Sequence, residues 1–431
     1  MSISFEAPGF PADEVRARAR HGRAAVFPDA GSYGTTLFGA TPAGAEADPL
    51  EAMRLLPPIF MPHRMEKLIE LGREPTYHDV SLNTAIGGFV APMPLYVSAF
   101  GSTRIAGRDL GIAVSAQAGR LGLPMVIGEN VVPVHGYGRA GSAQSSMLER
   151  IRTYVDALPA GLGGIVVQQS TEDADAEVWN LIYSDSATRS LLESGRLAFE
   201  LKVGQGAKPG LGGMTLLDGA EASELRDRYT LDTPAGDGGD RWLRHSSPGT
   251  FTAEVLRQQI RLMRNNYPKA RTWVKLPPGR DIHPAVRTAV SAGVDAVTVD
   301  GAEGGTGWAP KAFLTHVGLP LAECLRRIGP PLARSTCLLV SGRFWEGARV
   351  AKSLALGAGA AGLGRAALVA AATDFEHGLE RLADSIGLEL RMILSALGKY
   401  ELGLLGHEDL LDPRDLRPAA HTETDPVEEL R

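Results

Sequence analysis

Eight short apolar runs recur along the chain between residues 94 and 366. They read PLYVSAF (94–100), PMVIGEN (124–130), GIVVQQS (164–170), AFELKVGQ (198–205), TWVKLPP (272–278), AVTVDGA (296–302), CLLVSGR (337–343) and AAGLGRA (360–366). Runs apolar on both faces predict strands of a parallel sheet that is covered on both sides. The stretches between them carry helical spacing. TAEVLRQQIRLMRNNY (252–267) lines up Leu256, Ile260 and Met263 on one face, and IHPAVRTAVSAGV (282–294) and ARVAKSLALGA (348–358) are similar. Eight strand–helix units predict a (β/α)8 fold, the TIM barrel. The competing arrangement, an open doubly wound sheet, lacks its G-x-G-x-x-G turn after the first run.

The flanks depart from this rhythm. Residues 1–80 are rich in Pro, Ala and Gly, with a short helical patch inside LEAMRLLPPIFMPHRMEKLIEL. They predict an N-terminal extension, mobile in part over 1–25. Residues 81–375 are assigned to the barrel and 376–431 to C-terminal helices and a tail, whose end HTETDPVEELR is expected to be disordered. The longest gap between runs, 205–250, carries GQGAKPGLGG and PAGDGGDRWLRHSSPG. Loops after barrel strands lie on the face where such barrels do chemistry, so this excursion is a candidate substrate loop. Residues 353–373 are mostly small and apolar, but the central Arg365 and the glycines before it predict a buried strand and helix rather than a membrane span.

Composition narrows the class. The chain has 431 residues, 44% hydrophobic and 22% charged, with a formal net charge of −6, which is ordinary for a globular enzyme. No basic block occurs, so a nucleic-acid partner has no support. The start, MSISFEAPGF, has neither a basic nor an apolar signal region, so a cytoplasmic protein without a membrane anchor is expected. Two cysteines, Cys324 and Cys337, supply neither a disulfide framework nor metal-ligand spacing.

Polar residues gather at the strand ends. They are Ser98, Ser102, Glu129, Gln168, Gln169, Lys202, Gln205, Lys275, Asp300, Glu303, Ser341 and Arg343. Lys275 places one amine inside an apolar strand. It reads either as a buried ion pair with Asp300 or Glu129, or as a cation beside negative charge developing on a ligand. VSGR (340–343) and GLGR (362–365) put Gly turns at the ends of the last two strands, each before a helix, which predicts a pocket for one phosphate. Arg343 and Arg365 add charge there, and DGAEGGTG (300–307) adds a third Gly-rich turn. Such a phosphate could belong to a sugar, a nucleotide or flavin mononucleotide (FMN). Gln205 and Lys208, in the amide-rich loop of the insertion, suit a carboxylate; His245 reads as a solvated loop residue or a substrate group.

LKVGQGAKPGLGG, VKLPPG, VDGAEGGTGWAP, HVGLP, VSGRFWEGARVAKSLALGA and GLGRAAL, in this order, resemble the FMN-binding synthase domain of glutamate synthase and its shorter stand-alone relatives, including the N-methylglutamate synthase subunit. The resemblance runs from about residue 75 to 410, with VSAFGS matching the first-strand motif. It implies a TIM barrel with FMN at the strand ends, ring contacts near Ala99, Gln169, Lys202 and Lys275, and phosphate held by Gly304, Gly305, Gly342, Arg343, Gly364 and Arg365. It implies a 2-oxo acid or amino acid near Glu129, Gln205 and Lys208, with Lys275 stabilising the reduced ring. In the family an imine takes hydride from flavin N5, so the reaction class is oxidoreduction at a C–N bond.

The departures from the family pattern matter too. The stretch after GLGRAAL has no cysteine, so no iron–sulfur cluster is expected from this chain. The chain begins Met-Ser-Ile and shows no amidotransferase segment, so glutamine hydrolysis is absent or lies on a partner subunit, as would a reductase. A homo-oligomer is left open. Met214 and His245-Ser246 replace the family's Gln and His-Asp, which leaves the substrate open. The alternatives are an FMN enzyme acting on another small amino or hydroxy acid, and a non-catalytic electron-relay subunit.

Overall fold

The computed structural model describes residues 6–7, 9–28, 48–100, 108–128, 147–171, 176–206, 215–227, 229–232, 241–245, 251–305, 309–329 and 335–415. In chain order the strands are β1 (Arg54–Leu55), β2 (Thr84–Ile86), β3 (Phe89–Ala91), β4 (Leu95–Phe100), β5 (Met125–Ile127), β6 (Ile165–Ser170), β7 (Leu197–Lys202), β8 (Thr215–Asp218), β9 (Thr230–Asp232), β10 (Arg241–His245), β11 (Arg271–Leu276), β12 (Ala296–Asp300), β13 (Cys337–Ser341), β14 (Ala360–Leu363) and β15 (Leu410–Leu411). Eight of them, β4–β7 and β11–β14, form a closed parallel barrel in which β14 pairs back onto β4. These eight are the apolar runs of the sequence.

Strand alternation sorts the barrel's apolar residues into two clusters. Val167, Phe199, Val274 and Val340 pack outward against the helices. Their neighbours Val166, Ala198, Trp273 and Leu339 pack inside the barrel. The hairpin β2–β3 sends Ile86, Phe89 and Ala91 into that inner cluster. Trp273 Nε1 donates to the carbonyl of Gly87 at 3.1 Å, and the Phe89 and Trp273 rings lie 5.5 Å apart. Gly87 has φ 54°, and a Cβ there would overlap the Trp273 indole, so only glycine fits this turn. The hairpin therefore floors the barrel with apolar side chains, and the opposite end, at the strand C-termini, is left to polar ones.

The helix Ala253–Asn266 buries Leu256, Ile260 and Met263 as its spacing predicts. Within the described residues of the insertion, β8, β10 and β9 form an antiparallel sheet. The helix Gly219–Leu225 packs on it around Leu217, Ala222 and Leu225. The N-terminal flank also departs from expectation. Residues Ala12–His21 form a helix against the helices Arg365–Thr373 and Gly378–Ala396. Val15 and Ala19, one turn apart, are fully buried there, and Arg18 reaches Glu389 at 2.5 Å. An Ala-rich stripe with one valine is a faint periodic signal, which is why this helix does not stand out in the sequence. The tail from residue 416 lies outside the described residues.

Candidate functional site

Above the apolar floor the inward positions turn polar. Gln168, Glu200, Lys275 and Thr298 continue the inward side of their strands beyond Val166, Ala198, Trp273 and Ala296. Glu200 is 1% exposed. It accepts hydrogen bonds from Gln168 Nε2 and from Thr298 Oγ1, the latter at 2.8 Å. Burial pushes its carboxyl above the ordinary range, and the neighbouring Lys275 charge pulls the other way. Lys275 Nζ lies 3.1 Å from Asp300 Oδ2, both side chains 9% exposed. The ion-pair reading of Lys275 thus holds with Asp300. The same carboxylate accepts from Ser341 Oγ and, at 3.0 Å, from the backbone N–H of Gly206. This ties the loop after β7 to β12. A Cβ at Gly206 would overlap the Gly301 carbonyl, so the loop can close only with glycine there.

Lys202 stands level with Lys275 on the adjacent strand, and its Nζ donates to Gln205 Oε1 at 3.2 Å. Two lysines therefore share one rim of the barrel mouth. Ala99 lies within a register shift of β4, between Val97 and Phe100, and packs against the inner cluster. Gln169 differs from the sequence expectation. Alternation gives the interior to Gln168, and β6 and β7 pair in regular register from Ile165 to Ser170, so Gln169 falls on the helix-facing side. Gln168 and Gln169 are identical in type, and only the strand's phase tells them apart.

The two turns of the expected phosphate pocket lie side by side, since Ser341 pairs with Gly362. Gly342 has φ 141° and Arg343 φ 60°. A Cβ at Gly305 would come 3.0 Å from Arg365 Nη2, which brings the loop after β12 against the start of the helix Arg365–Thr373. Gly304 lies in that loop beside Gly206. The two arginines differ. Arg343 Nη1 is held by Glu51 Oε2 at 3.1 Å and lies 3.5 Å from Asp48 Oδ2. Its charge is thus met by the N-terminal flank, a partner that no local motif announces. Among the described residues Arg365 makes no ion pair; it lies over the Phe10 ring at 5.2 Å. Glu303 is turned away from the mouth, accepting from the N–H of Leu321 at 3.1 Å and facing Arg349 at 3.5 Å.

Glu129, Lys208, Ser102, Met214 and Ser246 lie outside the described residues; of His245 the backbone on β10 is described. Sequence reasoning passed over Glu200, Thr298, Asp48 and Arg349. For three of them the signals were present: charged residues inside the apolar stretches AFELK and ARVAKSLALGA, and Asp-Pro at the start of a helix.

Residues 160–375, half of the chain, match the family model for the conserved region in glutamate synthase. The chain belongs to this family. A glutamate synthase large subunit-like protein of Rhizobium meliloti is 37% identical over 188 residues, 42% of this chain and 41% of that protein. An archaeal-type glutamate synthase [NADPH] of Thermotoga neapolitana is 35% identical over 180 residues, 40% of this chain and 34% of that protein. The match thus spans well under half of these curated relatives. Among solved structures, the flavin-binding domain of baker's yeast flavocytochrome b2 superimposes with a TM-score of 0.53 at 17% identity, over 87% of this chain and 80% of that one. At that identity the likeness is one of fold. The region shared with the glutamate synthase family begins just before β6. It takes in Glu200, Lys202, Lys275 and Asp300, both Gly turns and Arg365, but neither the floor hairpin nor Ala99.

Proposed function

We propose that this chain is an FMN-dependent oxidoreductase of glutamate synthase type, acting on the C–N bond of an amino acid/2-oxo acid pair. The observation that carries the proposal is the pair of Gly turns on adjacent strands, with an arginine beside them that makes no ion pair among the described residues. Three features fit a phosphate there. Arg365 has no carboxylate partner among the described residues, while burial disfavours its charge and leaves it in want of an anion. Arg343 Nε is buried without a hydrogen-bond partner among the described residues. Gly364 leaves open space, its nearest approach to a Cβ being Ser98 Cβ at 3.9 Å.

On this reading Gly304, Gly305, Gly342, Gly364 and Arg365 hold the phosphate, and Arg343 contributes chiefly its backbone. Lys202 and Lys275 face the ring, with Gln168 in the place first given to Gln169. Lys275, paired with Asp300 at the mouth, would favour an anionic reduced ring. Gln205 and Lys208 would take a substrate carboxylate, with Glu129 nearby. The bound flavin would supply hydride transfer at N5, and the protein would supply placement and charge.

The test is to release and identify the flavin, then reduce the holoprotein anaerobically and offer 2-oxo acids with ammonia or methylamine. FMN rather than FAD, and reoxidation by one such pair with formation of the amino acid, are expected. Arg365→Ala should weaken FMN binding by about 1.5–3 kcal/mol, the range for a hydrogen bond to a charged group. A bound FAD, or full FMN occupancy in Arg365→Ala after dilution, would overturn the placement of the phosphate.

A further inference from the structure

Arg349 and Asp48 have no part in the function described so far, yet they meet at the phosphate turn. Arg349 is fully buried on the helix Gly347–Ala355, which follows β13. Its Nε donates to the carbonyl of Gly342 at 3.1 Å and its Nη1 to Asp48 Oδ2 at 2.6 Å. The guanidinium lies over the Phe344 ring at 5.5 Å. Asp48 caps the helix Pro49–Ala52 with its other oxygen, accepting from the N–H groups of Leu50 at 2.9 Å and Glu51 at 3.1 Å. Lys352 Nζ donates to the Glu51 carbonyl at 3.0 Å, and Leu50 is fully buried. A segment 301 residues away in sequence is thereby fastened to the turn by its charges, its helix cap and the buried Leu50.

What Arg349 touches in the turn decides what it can do. A trans peptide is a rigid plane in which the carbonyl of one residue and the N–H of the next point in opposite directions. Holding the Gly342 carbonyl therefore holds the Arg343 N–H, aimed away from Arg349. The peptide needs holding, because Arg343 has φ 60°, the one non-glycine positive φ among the described residues. Such a conformation persists only where its surroundings impose it. Arg349 itself is closed off from any ligand by its burial.

We propose that Arg349 and Asp48 are positioning residues for the phosphate: they lock the Gly342–Arg343 peptide so that its N–H is presented to the anion. The N-terminal segment 48–51 is then a built part of the phosphate site. This rests on the FMN reading above, and the experiment separates the two.

The apoproteins of the wild type, Arg349→Lys, Asp48→Asn and Arg365→Ala are titrated with FMN and with riboflavin, which has the same ring and no phosphate, following flavin fluorescence. Lysine keeps the charge at 349 but cannot donate to Gly342 and Asp48 in the fork geometry of arginine. Arg349→Lys and Asp48→Asn are expected to weaken FMN binding about tenfold or more, the equivalent of one charge-assisted hydrogen bond, while riboflavin binding stays within about twofold. A purely structural role would weaken both flavins together, and that result overturns the proposal, as does unchanged FMN binding. Should Arg349→Lys not fold, Asp48→Asn answers the same question. If the wild type shows no preference for FMN over riboflavin, the phosphate pocket itself is wrong. If only Arg365→Ala loses that preference, the pocket stands and the positioning pair falls.

Discussion

Glu200 is a carboxyl with almost no access to water, lodged two positions below the rim of a barrel whose mouth carries Lys202, Lys275 and Asp300. Because burial raises its folded pKa, the folded state keeps a proton that the unfolded chain gives up above about 4.3. Stability attributable to Glu200 is therefore present at low pH and is lost as pH rises from there through the raised folded value. Glu200→Gln removes this dependence, since Gln168 can rotate its amide to offer an oxygen and Thr298 can still donate. Urea melts across a pH series should show the variant gaining on the wild type as pH climbs past ~4.3, then a constant difference; parallel curves would refute it. Lys275→Ala has the opposite character. It leaves Asp300 buried beside Ser341 and Gly206 without its cation, and breaking one side of such a pair costs about 3–5 kcal/mol. The double variant Lys275→Met/Asp300→Asn should recover part of that loss, and a double-mutant cycle with no coupling would show that the two side chains do not act as a pair.

The hairpin β2–β3 is the element that makes the barrel one-ended. Trp273 joins it to the strands through the Gly87 carbonyl and the Phe89 ring. Trp273→Ala should cost about 3–5 kcal/mol, the usual loss for a buried aromatic, readable as a lower urea midpoint. An unchanged midpoint would mean that the floor is dispensable. All eight barrel strands were legible in the sequence, because a strand covered on both faces must be an apolar run. So were the Gly turns, because only the backbone's freedom matters there. Other features were hidden for physical reasons. TAIGGFVA reads as an ordinary loop until one knows that Phe89 meets Trp273. Gln168 and Gln169 differ only in phase. The insertion's sheet has a core of three small or medium residues, too little to stand out among its glycines. The pairing of Arg343 and Arg349 with Asp48 spans some 300 residues and leaves no periodic trace. Motif reading therefore finds both arginines of the two turns and cannot tell that one is already occupied.

At the scale of the molecule, the division into 1–80, 81–375 and 376–431 is proposed as one of segments within a single folding unit. The flanks close on the barrel and on each other. β1 pairs with β15, joining Arg54 to Leu411 and Leu55 to Leu410, and Ser81 bridges to Glu401. Lys399 is held by Asp409 at 2.5 Å and Glu408 at 2.9 Å. Glu389 takes Arg18 with one oxygen and the N–H of Gly347 with the other, at 2.6 Å, linking the first helix to the one that carries Arg349. Phe10 covers Arg365. Deleting residues 1–28 uncovers the apolar faces of the helices Arg365–Thr373 and Gly378–Ala396 that Val15 and Ala19 pack upon. Full burial of a residue such as valine is worth about 1.5–3 kcal/mol, so this truncation should lower the melting temperature by several degrees. It should also weaken FMN more than riboflavin, because the cover over Arg365 goes with it. The excised barrel 81–375 should fail to melt cooperatively, having lost both flanks from its last helix and the Asp48 partner of its buried arginine. Circular dichroism melts of the two fragments check this. A fragment 81–375 that unfolds in one sharp transition within a few degrees of the full chain would make the barrel an autonomous domain and the flanks mere attachments.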